Sequence, residues 1–135
     1  MFHEITVKVR ACETDGLGHV SNISYFIYLE EARIEFFKLF STDMDMKSWK
    51  FILAHTGCDF IHQAYFDERL TIKTSIEHVG NSSFQVIHHM YNRDQKLIAK
   101  GKAVVVYFDF QEQKSKLIPD EIKEKLNQFL IGTPS

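Results

Sequence analysis

Two cysteines in 135 residues, Cys12 and Cys58, stand far apart and outside any C-x-x-C arrangement. That scarcity excludes a disulfide framework and a zinc knuckle, and leaves two reduced thiols. Charge of one sign is equally scarce. The formal net charge is -2 and the lysines are scattered, so the chain carries no electrostatic footprint for nucleic acid. No apolar run approaches the roughly 20 residues of a membrane-spanning helix. The opening MFHEITVKVR alternates apolar and polar residues where a secretory signal would carry an apolar core. A cytoplasmic protein with neither a membrane nor a nucleic-acid partner is expected. Also missing are G-x-S-x-G, H-E-x-x-H, G-x-x-x-x-G-K and a dinucleotide fingerprint. His88 and His89 are neighbours in an alternating segment and point to opposite faces, so they cannot form one metal face; no metal is expected. With no repeat, low-complexity tract or linker, residues 1–135 are read as one domain.

What the chain does have is an ordinary globular balance, 44% hydrophobic and 25% charged, with a surplus of 12 phenylalanines that must be buried somewhere. Residues 3–10 alternate strictly, with His3, Ile5, Val7 and Val9 on one face, and predict a half-buried strand. Ser21 and Asn22 offer N-cap side chains for a helix that runs without Pro or Gly to about residue 40. Its apolar residues form two stripes. Tyr25, Leu29, Ala32, Phe36 and Phe40 share one side; Ile23, Phe26, Ile27, Ile34 and Phe37 lie on nearly the opposite side. A helix apolar on two sides is enclosed on two sides, by a wrapping sheet or by a second subunit.

After a polar, loop-like stretch at 41–50, strands are predicted over 51–61, 69–77, 83–91 and 97–108, the later ones joined by turn sequences of hairpin length. Val104, Val105 and Val106 in succession suggest that the last of these strands is covered on both faces. Pro119 in a first turn, followed by Asp120 and Glu121, starts a short amphipathic helix through Ile122, Leu126, Phe129 and Leu130. The order predicts an α+β fold, a long antiparallel sheet of about five strands curled around one central helix, with a short C-terminal helix.

One loop carries chemistry. Asp15 precedes the long helix, where unpaired N–H groups and the macrodipole favour a carboxylate and can also donate to an oxyanion. Gly16 and Gly18 let the backbone come close to a ligand. A base or nucleophile beside oxyanion donors suits acyl transfer to water, and a thioester fits better than an amide because thiolate leaves without a strong general acid. An aspartate near a helix start also serves as a plain cap, although Asp15 lies several residues before Ser21 and Asn22.

The stretch VRACETDGLGHVSNISYFIYLEEARIEFF, followed by DFIHQAYFDERLTIKTSI and GNSSFQVIHHMYN, resembles the hotdog-fold acyl-CoA thioesterases of the 4-hydroxybenzoyl-CoA thioesterase family, over about residues 7–110. The most specific part is E-T-D-x-x-G-H-V-x-N-x-x-Y followed by E-E-A-R. The resemblance implies that Asp15 is general base or nucleophile, that the backbone N–H of Asn22 polarises the thioester carbonyl, and that His19 belongs to the same catalytic group. It places Gly18, Tyr25, Phe66, Ser82 and Ser83 against the substrate, with Phe66 standing where relatives carry glycine. It implies an acyl-CoA substrate with no separate cofactor, and homodimers, with sites at the subunit interface, that pair into tetramers. Lys100, Lys102 and Arg93 are candidates by position for the phosphates of coenzyme A. Two other readings stay open: a non-catalytic acyl-CoA binding or sensing module on the same fold, and, less favoured for want of a His followed by a Pro-rich segment, a hydratase or dehydratase.

Overall fold

The computed structural model describes residues 1–40 and 50–131. The loop-like stretch read over 41–50 lies, Lys50 apart, outside the described residues. In chain order the elements are β1 (His3–Lys8), α1 (Asn22–Phe37), β2 (Phe51–Phe60), β3 (Arg69–Val79), β4 (Ser83–Tyr91), β5 (Leu97–Asp109), β6 (Lys114–Ser115) and α2 (Asp120–Asn127). The long strands pair antiparallel in the order β1-β3-β4-β5-β2, and β6 adds a short pairing to β5. This is the expected hotdog arrangement, a curled sheet with α1 as filling.

β1 stops two residues before the alternation does, because the chain turns at Ala11–Glu13 into a short 3-10 helix. Val9 still pairs beyond the strand end, donating to the carbonyl of Glu68 and accepting from Asp67. α1 likewise ends at Phe37 and passes into turn through residue 40. Its first stripe is the core: Tyr25, Leu29, Ala32 and Phe36 are buried. The second stripe divides. Phe37 is buried and stacks on Phe51 at 4.9 Å between ring centroids, whereas Ile23, Ile27 and Ile34 are exposed, Ile23 at 74%. Among the described residues the sheet covers one side of the helix only, so the enclosure expected on both sides is not met by them. β5 is an interior strand, between β4 and β2, but the cover expected on both its faces is complete on one only: Val105 is buried on the helix side, while Val104 and Val106 are half-buried on the other face. Pro119 is the N-cap of α2 and not a first-turn residue, and Leu126 and Phe129 anchor that helix in the core.

The core falls into two clusters. One gathers Leu29, Ile72, Met90 and Ala99 with their neighbours at the β3 Leu70 end of the sheet; the other gathers Phe36, Ile76, Phe84 and Val105 at the opposite end. Between them runs a row of directly opposed residues, His3, Thr74, His88, Gly101 and Cys58, one from each long strand. Arg33, buried on α1, falls at the same level in the helix sequence, between Ala32 of the first cluster and Phe36 of the second. At Gly101 the helix presses on the sheet: a Cβ there would lie 2.6 Å from Leu29 Cδ1.

His88 is fully buried, with Nδ1 2.8 Å from Thr74 Oγ1 and no partner for Nε2 among the described residues. Burial, reinforced by Arg33 and His89, pushes its pKa down to about 3. An unfolded histidine titrates near 6.5. Between those values the unfolded chain binds the proton that the folded chain refuses, so stability present above pH 6.5 is lost as pH falls towards 3. Urea midpoints should therefore decline from pH 7 to pH 4, and His88→Gln should flatten that acid limb. Equal slopes for the two proteins would exclude His88 as the source.

Candidate active site

The sequence from Glu13 to Asn22 closes on itself before the helix begins. Thr14 and Val20 form an isolated antiparallel bridge, and Asp15 N–H donates to the His19 carbonyl at 2.8 Å. Inside this loop Asp15 Oδ1 accepts from the N–H groups of Leu17 at 2.8 Å and His19 at 3.1 Å. Gly18 completes the turn at φ 81°, a conformation that side chains other than glycine strain to adopt. Asp15 is thus no helix cap: one carboxylate oxygen organises its own loop, and Oδ2 makes no hydrogen bond among the described residues. The side chain is exposed.

The loop is stitched to the connection between β2 and β3. Val20 N–H donates to the Ala64 carbonyl, Phe66 N–H donates to the Gly18 carbonyl, and the rings of His19 and Tyr65 meet edge-on at 5.1 Å. Ser21 occupies the N-cap position of α1 as expected but makes no capping bond with its side chain; its hydroxyl lies 2.9 Å from that of Ser24. Among the described residues no hydrogen bond engages the backbone N–H of Asn22 or Ile23. Two donors at the positive end of a sixteen-residue helix are therefore left for an acceptor from outside.

Beside those donors lies a cleft of about 230 Å³ lined by Asn22, Tyr25, Phe60, Ile61, His62 and Gln63. Tyr25 backs it, 2% exposed, with its hydroxyl accepting from Ala64 N–H at 3.2 Å and donating to the His62 carbonyl at 3.4 Å. Burial raises the pKa of this phenol, so it stays protonated and holds the β2–β3 connection against the helix. Phe60 closes one wall, edge-on to Tyr25 and Phe26. The arrangement is a carboxylate on a rigid loop, free N–H donors at a helix start and an aromatic-lined slot beside them.

Residues 9–126 match the model of the thioesterase-like superfamily. The chain belongs to that family. The enzyme is therefore a thioester hydrolase of the hotdog type. Its backbone superposes on a predicted thioesterase from Bacillus stearothermophilus with a TM-score of 0.92 and 30% identity, covering 99% of this chain and 100% of the other. A thioesterase from Thermus thermophilus complexed with coenzyme A and Zn gives a TM-score of 0.82 and 26% identity, over 91% and 95% of the two chains. The long-chain acyl-CoA thioesterase FadM of Escherichia coli (strain K12) is 27% identical over 131 residues, 92% of this chain and 96% of that one.

The enzyme's fold brings Asp15, Gly18 and His19 into one loop and sets Asn22 and Tyr25 at the adjoining helix start. Phe66 is tied to Gly18 through its backbone, but its exposed ring lines a neighbouring cleft of about 460 Å³ together with Tyr65, Asp67, Glu68, Arg93 and Asp94. Three carboxylates against one guanidinium make that cleft a poor seat for phosphate, which removes the positional argument for Arg93. Lys100 and Lys102 face away from the helix, and Lys102 pairs with Glu77 at 3.1 Å. Ser82 lies in the turn between β3 and β4, where its carbonyl accepts from Tyr107 N–H, and Ser83 is the first residue of β4. The length of β3, eleven residues or roughly 35 Å at about 3.3 Å per residue, separates them from Asp15 within one chain. Sequence reasoning missed Glu13 and the wall formed by Phe60, Ile61 and His62. The first was legible as an Arg10–Glu13 spacing of three; the second needed the fold.

Proposed function

We propose that the enzyme hydrolyses acyl-CoA to the free acid and coenzyme A with Asp15 as the reacting carboxylate. The observation that carries this reading is the pairing of Asp15, its Oδ2 unbonded, with the unengaged N–H groups of Asn22 and Ile23 in adjoining segments. Water attacks the thioester carbonyl carbon as Asp15 takes its proton, and the new oxyanion accepts from the Asn22 N–H. The intermediate collapses with cleavage of the C–S bond, and the departing sulfur recovers the proton from Asp15. The same carboxylate could instead attack directly and pass through a mixed anhydride that water opens; both routes need it ionised. Coenzyme A bound to the Thermus thermophilus relative and the acyl-CoA substrate of FadM support the choice of thioester.

The working unit in this reading is a homodimer. β2 is an edge strand ten residues long, open for antiparallel pairing with a second copy. Such pairing sets the Phe60 end of one β2 against the Phe51 end of the other, and so carries the second copy's Ser82 and Ser83 towards the first copy's Asp15. The exposed Ile23, Ile27 and Ile34 offer the surface on which two dimers pair as a tetramer.

Short, medium, long and aromatic acyl-CoAs, incubated with the protein and followed by free thiol release, test the activity. Release well above buffer for at least one of them is expected. Saturable binding with no release by folded, dimeric protein would replace hydrolysis with a binding role.

A further inference from the structure

We infer that Glu13 is a positioning residue that sets the Asp15 loop in register with the N-terminus of α1. The inference rests on the reading of Asp15 as the reacting group. Glu13 is 5% exposed, which makes it an unusual place for a carboxylate. Its Oε1 accepts from Arg10 N–H at 2.8 Å and from the Tyr28 hydroxyl at 2.9 Å. Its Oε2 accepts from Arg10 Nε at 3.2 Å and Nη2 at 2.8 Å. Its backbone carbonyl accepts from Ser21 N–H at 3.0 Å and from the Ser24 hydroxyl at 2.9 Å.

Ser24 and Tyr28 stand one turn apart on the same side of α1. Glu13 grips the first with its main chain and the second with its side chain. Two attachments a turn apart fix both the rotation and the height of the loop against the helix, where one would leave a pivot. Only Thr14 separates this anchor from Asp15, and Thr14 is itself held, its N–H and hydroxyl both donating to the Ala11 carbonyl. The position of the reacting carboxylate relative to the Asn22 N–H is thus inherited from Glu13. Burial opposes the charge on Glu13, but the hydrogen bonds from Arg10 and Tyr28 outweigh it and keep the carboxyl below its ordinary range. Burial and the neighbouring carboxylate push the Tyr28 phenol up, so it remains a donor. A residue needed for packing alone would not require a charge here; one needed to hold two donors at fixed places does.

The test measures kcat, KM and melting temperature for Glu13→Ala, Glu13→Gln and Tyr28→Phe, beside Asp15→Asn and the distant core variant Leu126→Ala. A displacement of about 1 Å at a reacting group costs up to about a hundredfold in rate. Glu13→Ala should lower kcat by roughly ten- to a hundredfold with KM within about twofold. Glu13→Gln, which keeps an acceptor for Tyr28, should recover part of that loss. Tyr28→Phe should reproduce part of it and add little on top of Glu13→Ala, as residues acting through one contact do. Unchanged kcat in Glu13→Ala, or an equal fall in kcat for Leu126→Ala, would overturn the inference. Should Glu13→Ala fail to fold, unchanged kcat in both Glu13→Gln and Tyr28→Phe would overturn it equally. Full activity in Asp15→Asn would instead remove the reading on which it stands.

Discussion

Asp15→Asn should hydrolyse acyl-CoA roughly 10²–10⁴-fold more slowly than the wild type, the range that a positioned acid–base group contributes, and should melt at nearly the same temperature. The substitution isolates charge. Leu17 and His19 donate to Oδ1 only, and the amide oxygen of asparagine can accept both bonds in its place. The loop therefore keeps its shape while the oxygen that would take a proton from water, or attack the carbonyl, becomes an NH₂ group. Because the missing interaction is one made in the transition state, the loss should appear in kcat, with KM nearly unchanged. Retention of full hydrolysis would exclude this carboxylate from either role. A large fall in melting temperature would show that the charge is structural.

The largest stability effect is expected at the other end of the helix. Phe36 is fully buried, with its ring 5.0 Å from that of Phe129, 5.2 Å from Phe40 and 6.1 Å from His3. Through these contacts it joins α1 to the segment after α2 and to β1. Truncating a buried phenylalanine costs about 3–5 kcal/mol, part transfer free energy and part cavity. For 135 residues one kcal/mol corresponds to roughly 3–4 °C in melting temperature. Phe36→Ala should thus melt roughly 10–18 °C below the wild type. Its kcat at 25 °C should be close to normal, because Phe36 belongs to the cluster away from the Asp15 loop. Destabilisation under about 1 kcal/mol would mean that Phe37, Phe40 and Phe129 collapse into the space.

Much of the architecture was legible because it rests on local periodicity. Alternation in β3 and β4, the absence of Pro and Gly through α1 and the start of α2 after Pro119 are all written over a few residues. What was not legible depends on groups distant in the chain. The exposure of Ile23, Ile27 and Ile34 is invisible to periodicity, which registers that a face is apolar and not what lies against it. The Ser21 cap failed because Ser24, once bonded to the Glu13 carbonyl, draws the Ser21 hydroxyl away from the helix backbone. Asp15 stood out as an isolated acid among glycines, whereas no role was read for Glu13, two residues earlier. Its partner Tyr28 is fifteen residues away, and only the folded chain brings them to 2.9 Å. Ser82 and Ser83 were drawn to the site by their motif; the registers of β3 and β4 place them at the far end of the sheet.

The row of opposed residues across the sheet also bears on how errors in strand pairing are rejected. Side chains alternate faces, so a slip of one residue turns a whole strand inside out. Were β4 to slip, His89 and Gln85 would enter the core and His88 would lose Thr74. Were β5 to slip, Lys100 or Lys102 would be driven beneath Leu29, at a level where not even a methyl group fits without displacing it. The correct pairing is thus distinguished less by the contacts it gains than by the severity of its nearest alternatives, which helps a long, edge-exposed sheet reach a single arrangement.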